Sequence, residues 1–325
     1  MKTNPDRLII SSSPHIKGPA STTGIMLDVI IAMLPVLAAA IYNFGVRSLY
    51  ITGICVFTCV FGELIFELIT KRPVTIGDLS AVVTGMLLAF NLPVSIPEWQ
   101  AVIGSLVAII AVKQLFGGIG HNFANPAVTA RIVLTISFAT SMSAWTLPVT
   151  SGSADAVSSA TPLAAQAGGE ALPSLFNMFI GRHPGCIGET CSLAIIIGFI
   201  YLLCRKVITW HTPIIYVGVV FILSLIAKDF SFESALYQIL SGGLLLGAVF
   251  MAPDYSTSPP TPWGKAVFAI GCGLITVAIR LWGTYPEGVS FSILFMNILT
   301  PYITKLTAHR PLGGAKTQAA GQSRG

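Results

Sequence analysis

The chain has 325 residues, of which 54% are hydrophobic and only 10% charged, with a formal net charge of +5. A mean hydropathy of +0.79, carried in repeated long apolar runs, excludes a water-soluble globular domain and leaves no basic tract suited to nucleic acid. Because hydrocarbon offers the backbone no hydrogen-bond partner, and because the runs are continuous rather than alternating, the spans must be helices and not the strands of a barrel.

Residues 1–21 are polar, with Lys2, Asp6, Arg7 and the Ser11-Ser12-Ser13-Pro14 stretch, and lack the apolar core of a cleaved signal. They read as a cytoplasmic N-terminal segment. The apolar runs then predict about ten transmembrane helices, at 22–42, 49–70, 76–92, 99–115, 127–145, 192–208, 213–227, 235–251, 266–282 and 289–303. Several fall short of the ~20 residues that a straight span needs, and Gly and Pro interrupt them often. Between the fifth and sixth helices lies the longest polar loop, 146–191, and residues 306–325 read as a disordered tail rich in Gly and Ala.

Charge sets the expected orientation. With the N-terminus inside, fourteen of the eighteen Lys and Arg residues fall on the inner face, Lys113 and Arg131 among them, against Arg47, Arg182, Lys228 and Arg280 outside. The positive-inside bias therefore puts both termini in the cytoplasm of a multi-pass protein of the cytoplasmic (inner) membrane, with loop 146–191 extracytoplasmic. Residues 87–93 are echoed by 246–253, each followed by a Pro-rich turn and a tryptophan (Trp99, Trp263). Five helices per half, 22–145 and 192–305, make these repeats inverted. That architecture expects one polar site near each face, where broken helices meet.

The polar residues fall into two groups. An outer group draws on Thr161 and on Gly188-Glu189-Thr190. An inner group draws on the loop 117–126 and on the turn holding Asp254. Asn122 and Asn125 either read the edge of a heterocycle with their amides or cap the helix that Pro126 opens. The glycine run ahead of them is not a phosphate loop, since no Gly-Lys-Ser/Thr follows it. Asp28, Glu63 and Glu67 lie within predicted spans, where ionisable groups mark ion paths or sit in structural pairs. Glu67 is four residues from Lys71, the spacing of an interfacial ion pair, and Asp78 reads as a helix N-terminal acid. The six cysteines include no CxxC, so no iron–sulfur site within this chain is expected. Cys55 and Cys59 read as packing residues. Cys186 and Cys191 either pair in an oxidising compartment or stay free.

Asp155-Ala156-Val157-Ser158-Ser159-Ala160-Thr161 resembles the flavin-transfer motif D-G-x-[ST]-[GS]-A-[ST], with Ala156 in place of the motif's Gly as the one departure. Together with Gly188-Glu189-Thr190, the Gly-Gly-x-Gly-x-Asn-x-x-Asn-Pro loop and the turns at 87–93 and 250–254, this makes nearly the whole chain resemble one family. That NqrB/RnfD family holds the RnfD component of the Rnf ion-translocating ferredoxin:NAD oxidoreductase and the NqrB component of the sodium-pumping NADH:quinone reductase. The resemblance implies FMN esterified to Thr161, with Asp155, Ser159 and Ala160 in the context read by a flavin transferase. It also implies a noncovalent riboflavin near the opposite face, beside Asn122 and Asn125, with Gly188, Glu189, Thr190 and Asp254 in the matching cofactor segments. It further implies a subunit of a translocase without activity of its own, coupling electron transfer between ferredoxin and NAD to Na⁺ or H⁺ movement. The implied partners are a second covalent-FMN subunit, membrane and peripheral iron–sulfur subunits, and an NADH-binding subunit. Catalytic side chains and a resident metal are not expected. Ala156 is expected to slow modification, because Gly lets a backbone approach an enzyme more closely. An inverted-repeat fold also suits a secondary transporter of a small solute, which is the alternative reading of the residues, and a membrane anchor is a third.

Overall fold

The computed structural model describes residues 21–148, 161–168, 172–228, 230–283 and 287–308, and among them every regular element is helical. Four helices are long and apolar enough to cross a membrane: α1 (Thr22–Phe44), α2 (Val46–Ile69), α13 (Pro262–Trp282) and α14 (Val289–Thr307). Local chemistry fixes their ends. Ser21 caps α1, its hydroxyl accepting from Gly24 N at 3.0 Å, and α1 stops at Gly45, whose φ of +76° suits glycine. Thr261 caps α13 in the same way, with Pro262 pre-set for the first helical position.

The remaining predicted runs are helical but shorter or broken. α3 (Ser80–Phe90) ends in the Asn91-Leu92-Pro93 turn, and α4 (Glu98–Leu106) runs straight into a π-helical stretch, Val107–Gln114. The run 127–145, expected as one helix, is divided at Phe138 into α5 (Pro126–Ser137) and α6 (Ala139–Met142). Two short helices follow, α7 (Pro162–Gly168) and α8 (Leu175–Ile180), then α9 (Ser192–Cys204) and α10 (His211–Ala227). The run 235–251 is bent by 64°: α11 (Phe232–Leu240) breaks at Ser241-Gly242-Gly243 and resumes as α12 (Leu244–Leu246) and a second π-helical stretch, Gly247–Met251. This bent pair counts as a fifth span by length and composition, while α3, α5, α9 and α10 are apolar but too short for a straight crossing.

One large apolar core runs through both halves of the chain, with Met33, Leu88, Phe90, Ile195, Phe268 and Ile293 inside it, and a small cluster of Cys59, Ala81 and Ile109 lies apart from it. α1 packs on α9, α2 on α3 and α4, α10 on α13, and α14 on both α13 and α5. Small residues let the backbones approach. A Cβ on Gly198 would lie 2.4 Å from Ala32 O, and one on Gly85 would lie 2.6 Å from Val56 Cα. Large apolar side chains such as Phe57, Leu68, Ile69 and Trp282 face outward, as lipid-contacting residues of a multi-pass membrane protein do.

Candidate cofactor and ion sites

A pocket, termed inner because the charge count expects its loops on that face, forms where the α3 start, the loop before α5 and the turn after the second π-helical stretch converge. Its cavity volume is about 90 Å³, and Asn122, Asn125, Asp254, Ser80, Lys113 and Phe250 are among its lining residues. Three residues singled out in separate stretches of sequence, Asn122, Asn125 and Asp254, thus meet in one place. Their roles differ. Asn125 caps α5, its Oδ1 accepting from Ala127 N at 3.1 Å and Val128 N at 3.3 Å. Asn122 Oδ1 is buried and has no hydrogen-bond partner among the described residues. Asp254 accepts from the Ser256 and Thr257 hydroxyls, each at 3.1 Å; burial pushes its carboxyl up, and those hydrogen bonds hold it back.

Lys113 escaped sequence reasoning, which counted it as an inner-face cation. It is 2% exposed, and its Nζ donates to Glu63 at 2.7 and 3.0 Å and to Ser80 Oγ at 2.6 Å. Gln114 Nε2 donates to the same carboxylate at 2.6 Å. The sequence signal was the presence of opposite charges in two apolar runs, since each needs the other once buried. Glu67 does not pair with Lys71 among the described residues. Instead it accepts from Thr75 N at 3.1 Å and Thr75 Oγ1 at 2.5 Å, because α2 ends at Ile69 and Lys71 turns away with φ +53°. Asp28 joins α1 to α9 through Arg205 and Tyr201. Asp78 accepts from Ser80 N at 2.8 Å at the start of α3, as an N-terminal acid does.

A second polar centre lies around Arg131, which is buried beside Cys186 and Glu287 rather than exposed as a surface cation. Its guanidinium donates to Asn91 Oδ1 at 2.9 Å, to Ser290 Oγ at 3.3 Å, to Cys186 Sγ at 3.6 Å and to Glu287 Oε2. The loop carrying Gly188-Glu189-Thr190 does not stay at the surface. It docks on the end of α3 through Ile187 N to Leu92 O at 3.0 Å and Gly188 N to Phe90 O at 2.9 Å. Only glycine fits at 188, where a Cβ would lie 2.3 Å from Phe90 Cβ. Glu189 Oε1 accepts from Cys186 N at 2.8 Å, and Thr190 O faces His183 Nε2 at 3.2 Å. Cys186 and Cys191 are both free thiols, and Cys55 and Cys59 are buried packing residues.

Thr161 departs from the expected exposed loop: it is 4% exposed and opens α7, its carbonyl accepting from Ala165 N at 2.8 Å. The cause is the docking of α7 on α11. Gln238 Nε2 donates to Gln166 Oε1 at 2.7 Å, and Leu163 Cδ1 lies 2.9 Å from the Cβ position of Gly242. Arg280 Nη2 and Glu287 Cγ approach that same position, at 3.2 and 3.4 Å. The Gly242-Gly243 break thereby joins α7 to the Arg131 centre, since Arg131 Nη1 and Glu189 Oε2 flank Gly243 at 3.2 and 3.4 Å. Asp155, Ser159 and Ala160, with the departing Ala156, lie outside the described residues.

Residues 9–313 match the NQR2, RnfD, RnfE family. The chain belongs to that family. Its relatives include the RnfD component of the Na⁺-translocating ferredoxin:NAD⁺ oxidoreductase complex of Acetobacterium woodii, 47% identical over 95% of this chain and 96% of the relative. The corresponding component of the proton-translocating ferredoxin:NAD⁺ oxidoreductase complex of Clostridium ljungdahlii is 38% identical over 92% of this chain and 94% of its own. That of the ion-translocating oxidoreductase complex of Stutzerimonas stutzeri is 36% identical over 90% and 93%. Within the NQR2, RnfD, RnfE family, then, relatives of nearly full-length similarity carry names with different coupling ions.

Proposed function

We propose that the chain is the flavin-carrying membrane subunit of an Rnf-type complex, in which electron transfer between ferredoxin and NAD drives Na⁺ or H⁺ across the cytoplasmic membrane. The observation that carries this reading is the inner pocket. Asn122, Asn125 and Asp254 converge on it, and the buried Asn122 Oδ1 lacks a partner that the ring N–H of a flavin supplies. Riboflavin, held without a covalent bond, suits its polar rim and its Phe250 wall. FMN, esterified through its phosphate to Thr161, is the second centre. Arg280 lies with Leu163 beside Gly242; its Nη1 and Nη2 already donate to Gln238 and Ser241, which leaves Nε, the nitrogen without a partner among the described residues, as the donor for a phosphate. When bound, the two flavins supply one- and two-electron chemistry; the chain's own residues hold, orient and shield them.

The finer architecture belongs to the same proposal. The helices at 22–145 and 192–305 form two inverted repeats of five, with both termini cytoplasmic. Setting aside the buried Lys113 and Arg131, the basic count still favours that orientation, at twelve against four. The complex supplies a second covalent-FMN subunit, iron–sulfur subunits and an NADH-binding subunit, and a flavin transferase modifies Thr161.

The test is ultraviolet fluorescence of the chain after denaturing electrophoresis, made beside a competent transferase. A fluorescent band is expected from the wild type and none from Thr161→Ala. A wild-type chain without fluorescence would sink the covalent-flavin reading, and solute uptake by the isolated chain in vesicles would favour a transporter instead.

A further inference from the structure

Two buried carboxylate oxygens in the Arg131 centre have no hydrogen-bond partner among the described residues: Glu189 Oε2 and Glu287 Oε1. Each belongs to a carboxylate whose other oxygen is used, Glu189 Oε1 by Cys186 N and Glu287 Oε2 by Arg131. Glu189 is 3% exposed. An oxygen of each carboxylate and the Cys186 sulfur lie within 4.8 Å of one another. Such a triad has donor types that suit a metal ion, but the Arg131 guanidinium already donates to two of the three, Cys186 Sγ and Glu287 Oε2, and a cation there would meet its charge. A buried carboxylate left without a donor is costly, and two of them close together cannot both stay ionised cheaply. One proton would serve both orphans, with Glu189 as the acid and Glu287 as the acceptor, once the carboxyls close from a separation of up to 4.8 Å to hydrogen-bond distance.

We infer that Glu189 and Glu287 bind a single exchangeable proton between them, with Arg131 holding Glu287 as the ionised partner. The charged and titratable groups facing the pair come from every neighbouring element. Arg131 comes from α5, Cys186 from Glu189's own loop and Arg280 from α13, while α3 offers only the neutral Asn91. Burial first, and then Glu287, push the Glu189 carboxyl well above the usual carboxylate range, against the pull of Arg131. A cavity lined by Arg131, Glu287, Ser290, Thr135 and Trp145 reaches the Glu287 member of the pair, the side from which exchange is proposed to occur. The site stands on this geometry and needs neither flavin in place.

Infrared difference spectroscopy of the full chain in its complex, titrated from neutral to alkaline pH in sodium-free buffer, reads the proton directly. A protonated-carboxyl band that shifts in D₂O and disappears on alkalinisation is expected in the wild type. It is expected to be absent from Glu189→Gln and retained in Glu63→Gln. Glu287→Gln removes the like charge and frees Arg131 for Glu189, so the band's midpoint should move at least tenfold lower in proton affinity. An unchanged band in Glu189→Gln, or an unchanged midpoint in Glu287→Gln, overturns the assignment. Loss of the band on adding sodium at fixed pH would also overturn it, marking a metal-cation site instead. Where Glu189→Gln fails to assemble, the Glu287→Gln midpoint alone decides.

Discussion

Asn91 Nδ2 lies 3.8 Å from Met251 Sδ, across 160 residues of chain. Asn91 follows the last residue of α3 and Met251 ends the second π-helical stretch, so the ends of two buried helical segments meet inside the shared core. Phe90 and Phe250, and Pro93 and Pro253, are separated by the same 160 residues. Residues nearest the axis of an inverted repeat touch their own counterparts, so this contact supports the repeat proposed above. Asn91 does more than touch Met251, because it also donates to Leu87 O at 2.6 Å and accepts from Arg131 at 2.9 Å. Asn91→Ala leaves the buried guanidinium short of an acceptor and is expected to cost about 1–3 kcal/mol, read as a lowered midpoint in thermal unfolding of the purified protein. Met251→Leu keeps the volume and is expected to cost less than about 1.5 kcal/mol.

The Glu63–Lys113 pair predicts a non-additive pattern. Glu63→Gln or Lys113→Met alone strands a buried partner and should cost about 3–5 kcal/mol, while the double variant should recover most of that loss. Thermal unfolding of the four proteins measures the coupling. Ion transport by the double variant separates the two roles left open for Glu63: a stable protein that still pumps makes the pair structural, and a stable protein that does not makes it part of an ion path.

What the sequence made legible was local. Asn122 and Asn125 stand in one loop, and Asp254 follows a turn that echoes another, so motif spacing was enough to nominate them. Lys113 and Arg131 read as surface cations because their partners are remote: Glu63 is 50 residues away and Glu287 is 156. A positive charge next to an apolar run looks the same whether it faces headgroups or a buried carboxylate. Thr161 reads as exposed for the same reason, since the Gln166–Gln238 contact that buries its helix spans 72 residues. Gly188 was nominated by its motif, but the steric need for glycine there carries no sequence signal, because the clash it avoids is with Phe90 on another element.

That clash gives a steric prediction. Gly188→Ala puts a methyl 2.3 Å from Phe90 Cβ and 2.6 Å from Phe90 Cγ, and the Gly188 N–H is tied to the same residue. Relief requires moving the loop off α3, so a loss of about 1–3 kcal/mol or failure to assemble is expected. Gly53→Ala, where a Cβ meets nothing within 4 Å inside α2, should instead be neutral or stabilising by up to ~1 kcal/mol.

The raised Glu189 carboxyl predicts a pH dependence with a definite sign. An acid whose folded-state affinity for protons exceeds its unfolded one binds more protons when native. Its contribution to stability is therefore full below the ordinary carboxylate range and declines as pH rises toward the raised value. Thermal unfolding midpoints should fall from mildly acidic pH up to about 8 in the wild type and level off above it, and the slope should flatten in Glu189→Gln.

If FMN is esterified to Thr161 as proposed, burial predicts an order of events. A transferase cannot reach a side chain that is 4% exposed, so α7 has to undock from α11 for the phosphoester to form. Gln166→Ala and Gln238→Ala remove the 2.7 Å contact between the two helices and should raise the rate at which fluorescent chain accumulates, without changing its final extent. Equal rates in wild type and variants would show that docking follows modification by another route.

The two asparagines of the inner pocket are expected to separate under mutation. Asn125 is a cap, so Asn125→Ala should cost about 1 kcal/mol of stability and lower riboflavin content only as far as α5 frays. Asn122 makes no comparable bond through its Oδ1, so Asn122→Ala should leave the unfolding midpoint within about 0.5 kcal/mol of wild type. It should nevertheless lose most of the riboflavin extracted from the complex. Asn125→Asp and Asn125→Ser keep a side-chain acceptor for the Ala127 and Val128 amides and should restore the stability that alanine removes. Flavin extraction and thermal unfolding on the same preparations read both effects. Thr161→Ala should leave riboflavin content unchanged, because the inner pocket shares no lining residue with the start of α7. Parallel loss of both flavins in Thr161→Ala and in Asn122→Ala would refute two independent sites.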